Sequence, residues 1–137
     1  TACHLLLAAL QQEIDPTISQ KGSNLTPERL RFDFNIDHKL TPEELAKVEA
    51  CVNDWIQQDL PVVFAEYDKD YAFDTLHAHG SFRDRYPDRV TVYTIGDISC
   101  EICGGPHVTH TGELGKFKIT KEESSSAGVR RIKAVLE

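Results

Sequence analysis

The sequence predicts an α+β fold: a single domain in which a mainly antiparallel sheet packs with two or three helices. Three observations predict it. Apolar residues recur at helical spacing near the N-terminus and again after Thr41, and apolar and charged residues alternate with period two in Leu30–Ile36, Arg89–Ile95 and Val129–Val135. The helical and strand segments are interspersed without a steady strand–helix–strand rhythm, which argues against a parallel sheet. At 137 residues the chain can bury most of the surface that its unfolded form exposes, so disulfide staples are not needed to explain its folding.

Each element has its own reason. Residues 1–13 read as a helix, with Leu5, Leu6, Ala9 and Leu10 on one apolar face, His4 close to that face, and Pro16 helping to end the segment. Leu30-Arg31-Phe32-Asp33-Phe34-Asn35-Ile36 reads as a half-buried strand. Thr41-Pro42-Glu43-Glu44 combines a capping Thr, a Pro at the first helical position and a Glu three residues after the cap, and it opens a helix expected to run to about Asp59. Leu45, Val48, Val52, Trp55 and Ile56 then fall on one buried face, which makes Trp55 a core residue. Pro61–Tyr67 suits a strand, 68–79 a second, weaker helix with His77 and His79 as exposed positions, and Arg89–Ile95 another strand. Gly115–Ile119 and Val129–Val135 complete the sheet.

Composition narrows the function. With 15 Lys plus Arg against 22 Asp plus Glu, the chain is not a general coat for nucleic acid, which needs clustered cations. Charge is unevenly spread: residues 1–100 carry 9 basic and 17 acidic side chains, and residues 101–137 carry 6 and 5. The later group, including Arg130, Arg131 and Lys133, could face a polyanion or form a solvated sheet face. No apolar run approaches the roughly 20 residues that cross a bilayer, and no secretory leader is legible. Four cysteines beside a normal core suggest thiols in a reducing compartment, hence a cytoplasmic protein. The chain lacks Met and starts as though inside a helix, so we expect a piece of a longer protein, truncated at its N-terminus.

The densest collection of ligand-type residues is Cys100-Glu101-Ile102-Cys103-Gly104-Gly105-Pro106-His107, with His110 beyond it. Glycines between Cys103 and His107 would let a thiolate and an imidazole converge on one zinc ion. A Cys-x-x-Cys pair standing alone is equally compatible with a redox pair or with a chance spacing. No Ser-His-Asp order or nucleophile elbow is present.

Several segments, in this order, resemble the editing domain of alanyl-tRNA synthetase. They are Thr1-Ala2-Cys3-His4-Leu5-Leu6-Leu7-Ala8-Ala9-Leu10, Ser19-Gln20-Lys21-Gly22-Ser23 and Pro27-Glu28-Arg29-Leu30-Arg31-Phe32-Asp33-Phe34. The likeness continues through Leu40-Thr41-Pro42-Glu43-Glu44-Leu45, Cys103-Gly104-Gly105-Pro106-His107-Val108 and Thr111-Gly112-Glu113-Leu114-Gly115-Lys116-Phe117. It closes on Ala127-Gly128-Val129-Arg130-Arg131-Ile132-Lys133-Ala134-Val135 and covers essentially the whole chain. The family includes free-standing alanyl editing proteins and, more distantly, the threonyl-tRNA synthetase editing domain. Pro106 stands where alanyl members commonly carry Thr and is similar to the threonyl relatives.

The resemblance implies one aminoacyl-tRNA editing domain over residues 1–137. Its implied activity is a zinc-dependent deacylase that hydrolyses alanine tRNA mischarged with serine or with glycine. It implies a Zn2+ ion held by His4, Cys103 and His107, with a further His expected immediately before Thr1, and Cys100 as a weaker substitute more simply read as an incidental thiol. Gln20 falls where the family places a polar residue facing the substrate. Backbone N–H groups at Gly104 and Gly105 could stabilise the developing oxyanion. The implied partners are mischarged alanine tRNA and the rest of an alanyl-tRNA synthetase, with no membrane. Two alternatives stand beside this reading: a zinc-stabilised tRNA-binding module without catalysis, and a threonyl-type editing domain.

Overall fold

The computed structural model describes residues 2–26, 29–78, 83–96, 98–102 and 108–136. The elements run α1 (Ala2–Glu13), β1 (Gln20–Leu25), β2 (Leu30–Asn35), α2 (Pro42–Gln57), β3 (Val62–Asp68), α3 (Lys69–Asp74), β4 (Arg89–Ile95), β5 (Ser99–Ile102), β6 (Phe117–Ser126) and β7 (Val129–Leu136). The strands form two sheets, one ordered β1-β2-β7-β6 and one ordered β3-β4-β5, and every pairing is antiparallel. The α+β class and the antiparallel character are as the sequence implies; the division into two sheets is added by the structure.

The main core lies where the four-stranded sheet meets α1 and α2. Inward positions of β2 and β7 supply Leu30, Phe32, Phe34, Ile132 and Ala134, all buried, and α2 supplies Val48, Val52, Trp55 and Ile56. Helix α1 is buried on more than the one face its periodicity marks: Ala2 and every residue from His4 to Leu10 are buried. A helix this apolar all round belongs in the interior, and α1 packs against both α2 and β5. The start of α2 is as read, with the Thr41 hydroxyl accepting from the Glu44 N–H at 3.1 Å and the Glu44 carboxylate accepting from the Thr41 N–H at 2.9 Å.

Besides β5, which the sequence reading does not contain, three elements differ from that reading. The helix expected over 68–79 is only six residues long and ends at Asp74. Asp74 puts a negative charge at the unfavourable end of the helix dipole, and His77 takes a left-handed backbone angle of 54°, which no helix accommodates. Strand β1 carries no apolar alternation and exists through its pairing with β2. Strand β6 continues past Ile119 to Ser126 because its glutamates pair with basic residues of β7. The β6–β7 hairpin turns at Ala127-Gly128, where Gly128 adopts φ 72°, a conformation that favours glycine.

A candidate editing site at the seam between the two sheets

Helix α1 and strand β5 meet at a seam where a polar contact sits among apolar residues. His4, in the first turn of α1, has its Nδ1 at 3.2 Å from Oε2 of Glu101, and both side chains are buried. The Ser99 hydroxyl donates to the same Glu101 oxygen at 3.0 Å. Burial pushes the Glu101 carboxyl up to about 7, while the Ser99 hydrogen bond works in the opposite direction. Strand alternation explains the arrangement. Ser99 and Glu101 lie opposite Ile95 and Tyr93 of β4 and face α1, whereas Cys100 and Ile102 face the other side.

Cys100 therefore does not turn towards His4. Its Sγ lies 3.9 Å from the Leu76 carbonyl oxygen, it packs with the small cluster of Ala72, Ala78, Val90 and Val92, and burial raises its thiol pKa. This corrects the idea that Cys100 could substitute as a zinc ligand: one-residue parity puts it on the wrong face of β5. Cys3 packs against the main core. Cys51 has its thiol pushed up to about 11, first by burial and then by Glu13 and Asp54, so it is protonated at neutral pH and a poor nucleophile or ligand.

Cys103, Gly104, Gly105 and His107 fall outside the described residues, so of the metal set only His4 is placed here. Among the described residues, no three His, Cys, Asp or Glu side chains are grouped to hold a metal. Strand β5 ends at Ile102, directly before Cys103 in the sequence. On the far side of that stretch the chain is tied to α2 and β3. The Thr109 carbonyl accepts from the Val62 N–H at 2.9 Å, and the fully buried Thr111 hydroxyl donates to the Trp55 carbonyl and accepts from the Leu60 N–H, each at 2.8 Å. His110 contacts Asp59, whose carboxylate also accepts from the Gly112 N–H at 2.9 Å. A Cβ at 112 would overlap the Asp59 carboxylate, so any larger residue there would have to push that carboxylate aside.

Gln20 opens β1, is exposed, and donates from its amide to the Ser23 hydroxyl at 3.1 Å. His77 is exposed as expected, but on the loop after α3 rather than in a helix; His79 lies outside the described residues. The C-terminal cations are largely ion-paired. Arg130 grips Glu122 at 2.6 and 2.8 Å, Arg131 grips Asp33 at 2.8 and 3.2 Å, and Lys121 and Lys133 share Glu123. Of the two uses weighed for that basic stretch, these pairings favour the solvated sheet face. Sequence reasoning missed Glu101 and Ser99. The available signal was the period-two series Ser99, Glu101, Cys103, a row of polar groups where a strand's inward positions are usually apolar.

Residues 90–133, from β4 into β7, match the family model described as "Threonyl and Alanyl tRNA synthetase second additional domain". Over the whole chain, 51% of residues are identical to the alanine–tRNA ligase of Treponema denticola. By the match to that model, residues 90–133 belong to this second additional domain family. The chain's alignment with the alanine–tRNA ligase of Borrelia hermsii is 51% identical over 136 residues, 99% of this chain, and with that of Chlorobium phaeovibrioides 48% identical over 136 residues, 98% of this chain. The chain spans 23% of the length of the first two relatives and 15% of the third. Glu101 and the Cys103–His107 stretch lie inside the segment matched by the second additional domain model, while His4 is covered by the full-chain alignments. Among the described residues, no helix of this chain is long and apolar enough to cross a membrane.

Proposed function

We propose that this domain is a zinc-dependent aminoacyl-tRNA deacylase that removes serine or glycine from mischarged alanine tRNA. The observation that carries the reading is the buried His4 held against Glu101, whose strand runs directly into Cys103. The donor set suits zinc: two imidazoles and a thiolate are ligands that zinc accepts. When bound by His4, Cys103 and His107, the ion would supply Lewis acidity next to the ester.

The protein's own groups do the rest. Hydrolysis adds water to the ester carbonyl, breaks the bond to the ribose oxygen and returns a proton to it, leaving free serine and uncharged tRNA. The Gly104 and Gly105 N–H groups stabilise negative charge on the carbonyl oxygen; one well-placed donor is worth about 2.7–4 kcal/mol. Gln20 accepts or donates to the serine hydroxyl. A synthetic pocket rejects an added hydroxyl only about a hundredfold, so a second site that hydrogen-bonds the hydroxyl adds a further selection.

The similarity to alanine–tRNA ligases supports alanine over threonine tRNA as the substrate. A tRNA-binding module without catalysis gains no support from β7, because its two arginines are already paired with carboxylates. The test compares clearance of seryl and alanyl esters of alanine tRNA by the zinc-supplemented protein, with and without a His added before Thr1. The seryl ester should be cleared faster, and His4→Ala should abolish the difference. Equal rates for the two esters, or no turnover by either protein, would overturn the proposal.

A further inference from the structure

We infer that the open face of β3 and β4 is a stacking shelf for the unpaired terminal base of a tRNA, with Phe64 as its platform and Tyr93 behind it. The inference deepens the deacylase reading and rests on it for the identity of the ligand. The two rings belong to one row. Phe64 pairs with Tyr93, and Tyr93 pairs with Glu101, so all three side chains leave the three-stranded sheet on the same face. Along that row the surroundings change from solvent to interior: Phe64 is 68% exposed, Tyr93 is half-buried, and Glu101 is buried beside His4. The neighbouring row of Val62, Ile95 and Ser99 is buried throughout. Cover over this face of the sheet therefore ends partway along the Phe64 row.

Exposed apolar residues that stand singly need no explanation; here two rings are in contact. The Phe64 and Tyr93 centroids lie 5.4 Å apart with the planes tilted by 32°, so Tyr93 supports the Phe64 ring from one side and leaves the rest of it to solvent. Unpaired bases stack on such rings, whatever the base. Charge selects the occupant. The chain has a formal net charge of −7, Glu66 is exposed two residues along on the same face, and Arg89 of that face is paired with Asp68 at 3.2 Å. Such a surface is unsuited to a run of phosphates. A terminal nucleoside has a phosphate on its 5′ side only, and a carboxylate can accept from the exocyclic amino group of its base. Neighbouring strands lie about 4.8 Å apart, so Phe64 stands roughly 10 Å across the sheet from Glu101, a gap that a nucleoside carrying an amino-acid ester spans.

The test uses three probes: a short single-stranded ribonucleotide with a 3′-terminal adenosine, the same strand ending in an abasic ribose, and inorganic phosphate. In 13C-labelled protein the ring signals of Phe64 and Tyr93 should shift with the first probe and not with the other two. Phe64→Ser should weaken binding of the first probe about 5–150-fold. Phe64→Leu, which keeps apolar bulk without a π face, should weaken it too, and Phe64→Trp should bind it at least as tightly as the original. Against seryl-tRNA the loss should appear in kcat/KM, mainly through KM. Ring signals that ignore the first probe, equal shifts with the abasic strand, or a Phe64→Leu protein that binds as tightly as the original would overturn the inference. So would sedimentation showing that Phe64 joins two copies of the chain instead. If the strand binds at Phe64 and no ester is cleared, the deacylase reading falls and the shelf stands. If Phe64→Ser clears the seryl ester with unchanged KM, the shelf falls and the deacylase reading stands. Should Phe64→Ser fail to fold, Phe64→Leu and Phe64→Trp carry the decision.

Discussion

Phe32 and Phe64 occupy strands of the two different sheets, and they differ as much as two phenylalanines can. Phe32 in β2 is fully buried, whereas Phe64 in β3 is 68% exposed. The four-stranded sheet has two helices packed on its inner face and the Arg131–Asp33 and Lys133–Glu123 ion pairs on its outer one. The three-stranded sheet has a small second cluster built on Ala72, Ala78, Val90 and Val92, and it leaves Val63 and Phe64 of its edge strand in the open. One half is a platform; the other is thinly supported. His4 is anchored in the first and Glu101 is delivered by the second, so the candidate site depends on how well the thinner half is held against the thicker.

The contrast can be broken by substitution. The largest effect should come from Phe32→Ala, which removes a fully buried ring and should cost about 3–5 kcal/mol in urea denaturation. Next is Asp33→Asn. It removes one side of the two-pronged contact with Arg131 and should cost about 1–3 kcal/mol at neutral pH. The Arg131 hydrogen bond holds the Asp33 carboxyl below its ordinary value. Its contribution is therefore present above the unfolded-state value and lost as pH falls through the native one, so the two unfolding curves should converge below about pH 4.

On the thinner side, Val90→Ala should cost about 1–2 kcal/mol by the loss of two buried carbons. Amides of β3 to β5 should exchange with deuterium before those of β2 and β7. At the junction, contact with Asp59 raises the titration point of His110. That pairing favours the fold below the unfolded-state value of about 6.5 and fades as pH rises through the native one. Asp59→Asn should lower the His110 titration midpoint in NMR. The smallest effect should be that of Phe64→Ser, within about 0.5 kcal/mol of no change; a larger loss would mean that the exposed edge contributes to stability after all.

Legibility followed the same division. Helices α1 and α2 and strands β2, β4 and β7 could be read because their apolar residues repeat with the period of the element that buries them. The capping residues Thr41 and Glu44 also marked the start of α2 to the residue. Strand β1 was not legible, since Gln20, Lys21, Ser23 and Asn24 carry no inward pattern and only the partner strand makes the segment extended. Strand β5 was hidden for the opposite reason: its inward residues are Ser99 and Glu101, and a rule that sends charge to solvent reads such a strand as a loop. His4 was found through resemblance rather than periodicity, which by itself favours a core or capping histidine. Cys100 was weighed as a ligand because nearness in sequence says nothing about which side of a strand a side chain leaves.

Thr111 closes a different point. Its hydroxyl ties the return of the chain to the last turn of α2 and to Leu60, while β5 fixes the departure on the other side of 103–107. One buried hydroxyl that both donates and accepts thus holds the segment after 108 to α2 and to the start of β3, and Thr111→Val should loosen both attachments at a cost of about 1–3 kcal/mol in urea denaturation.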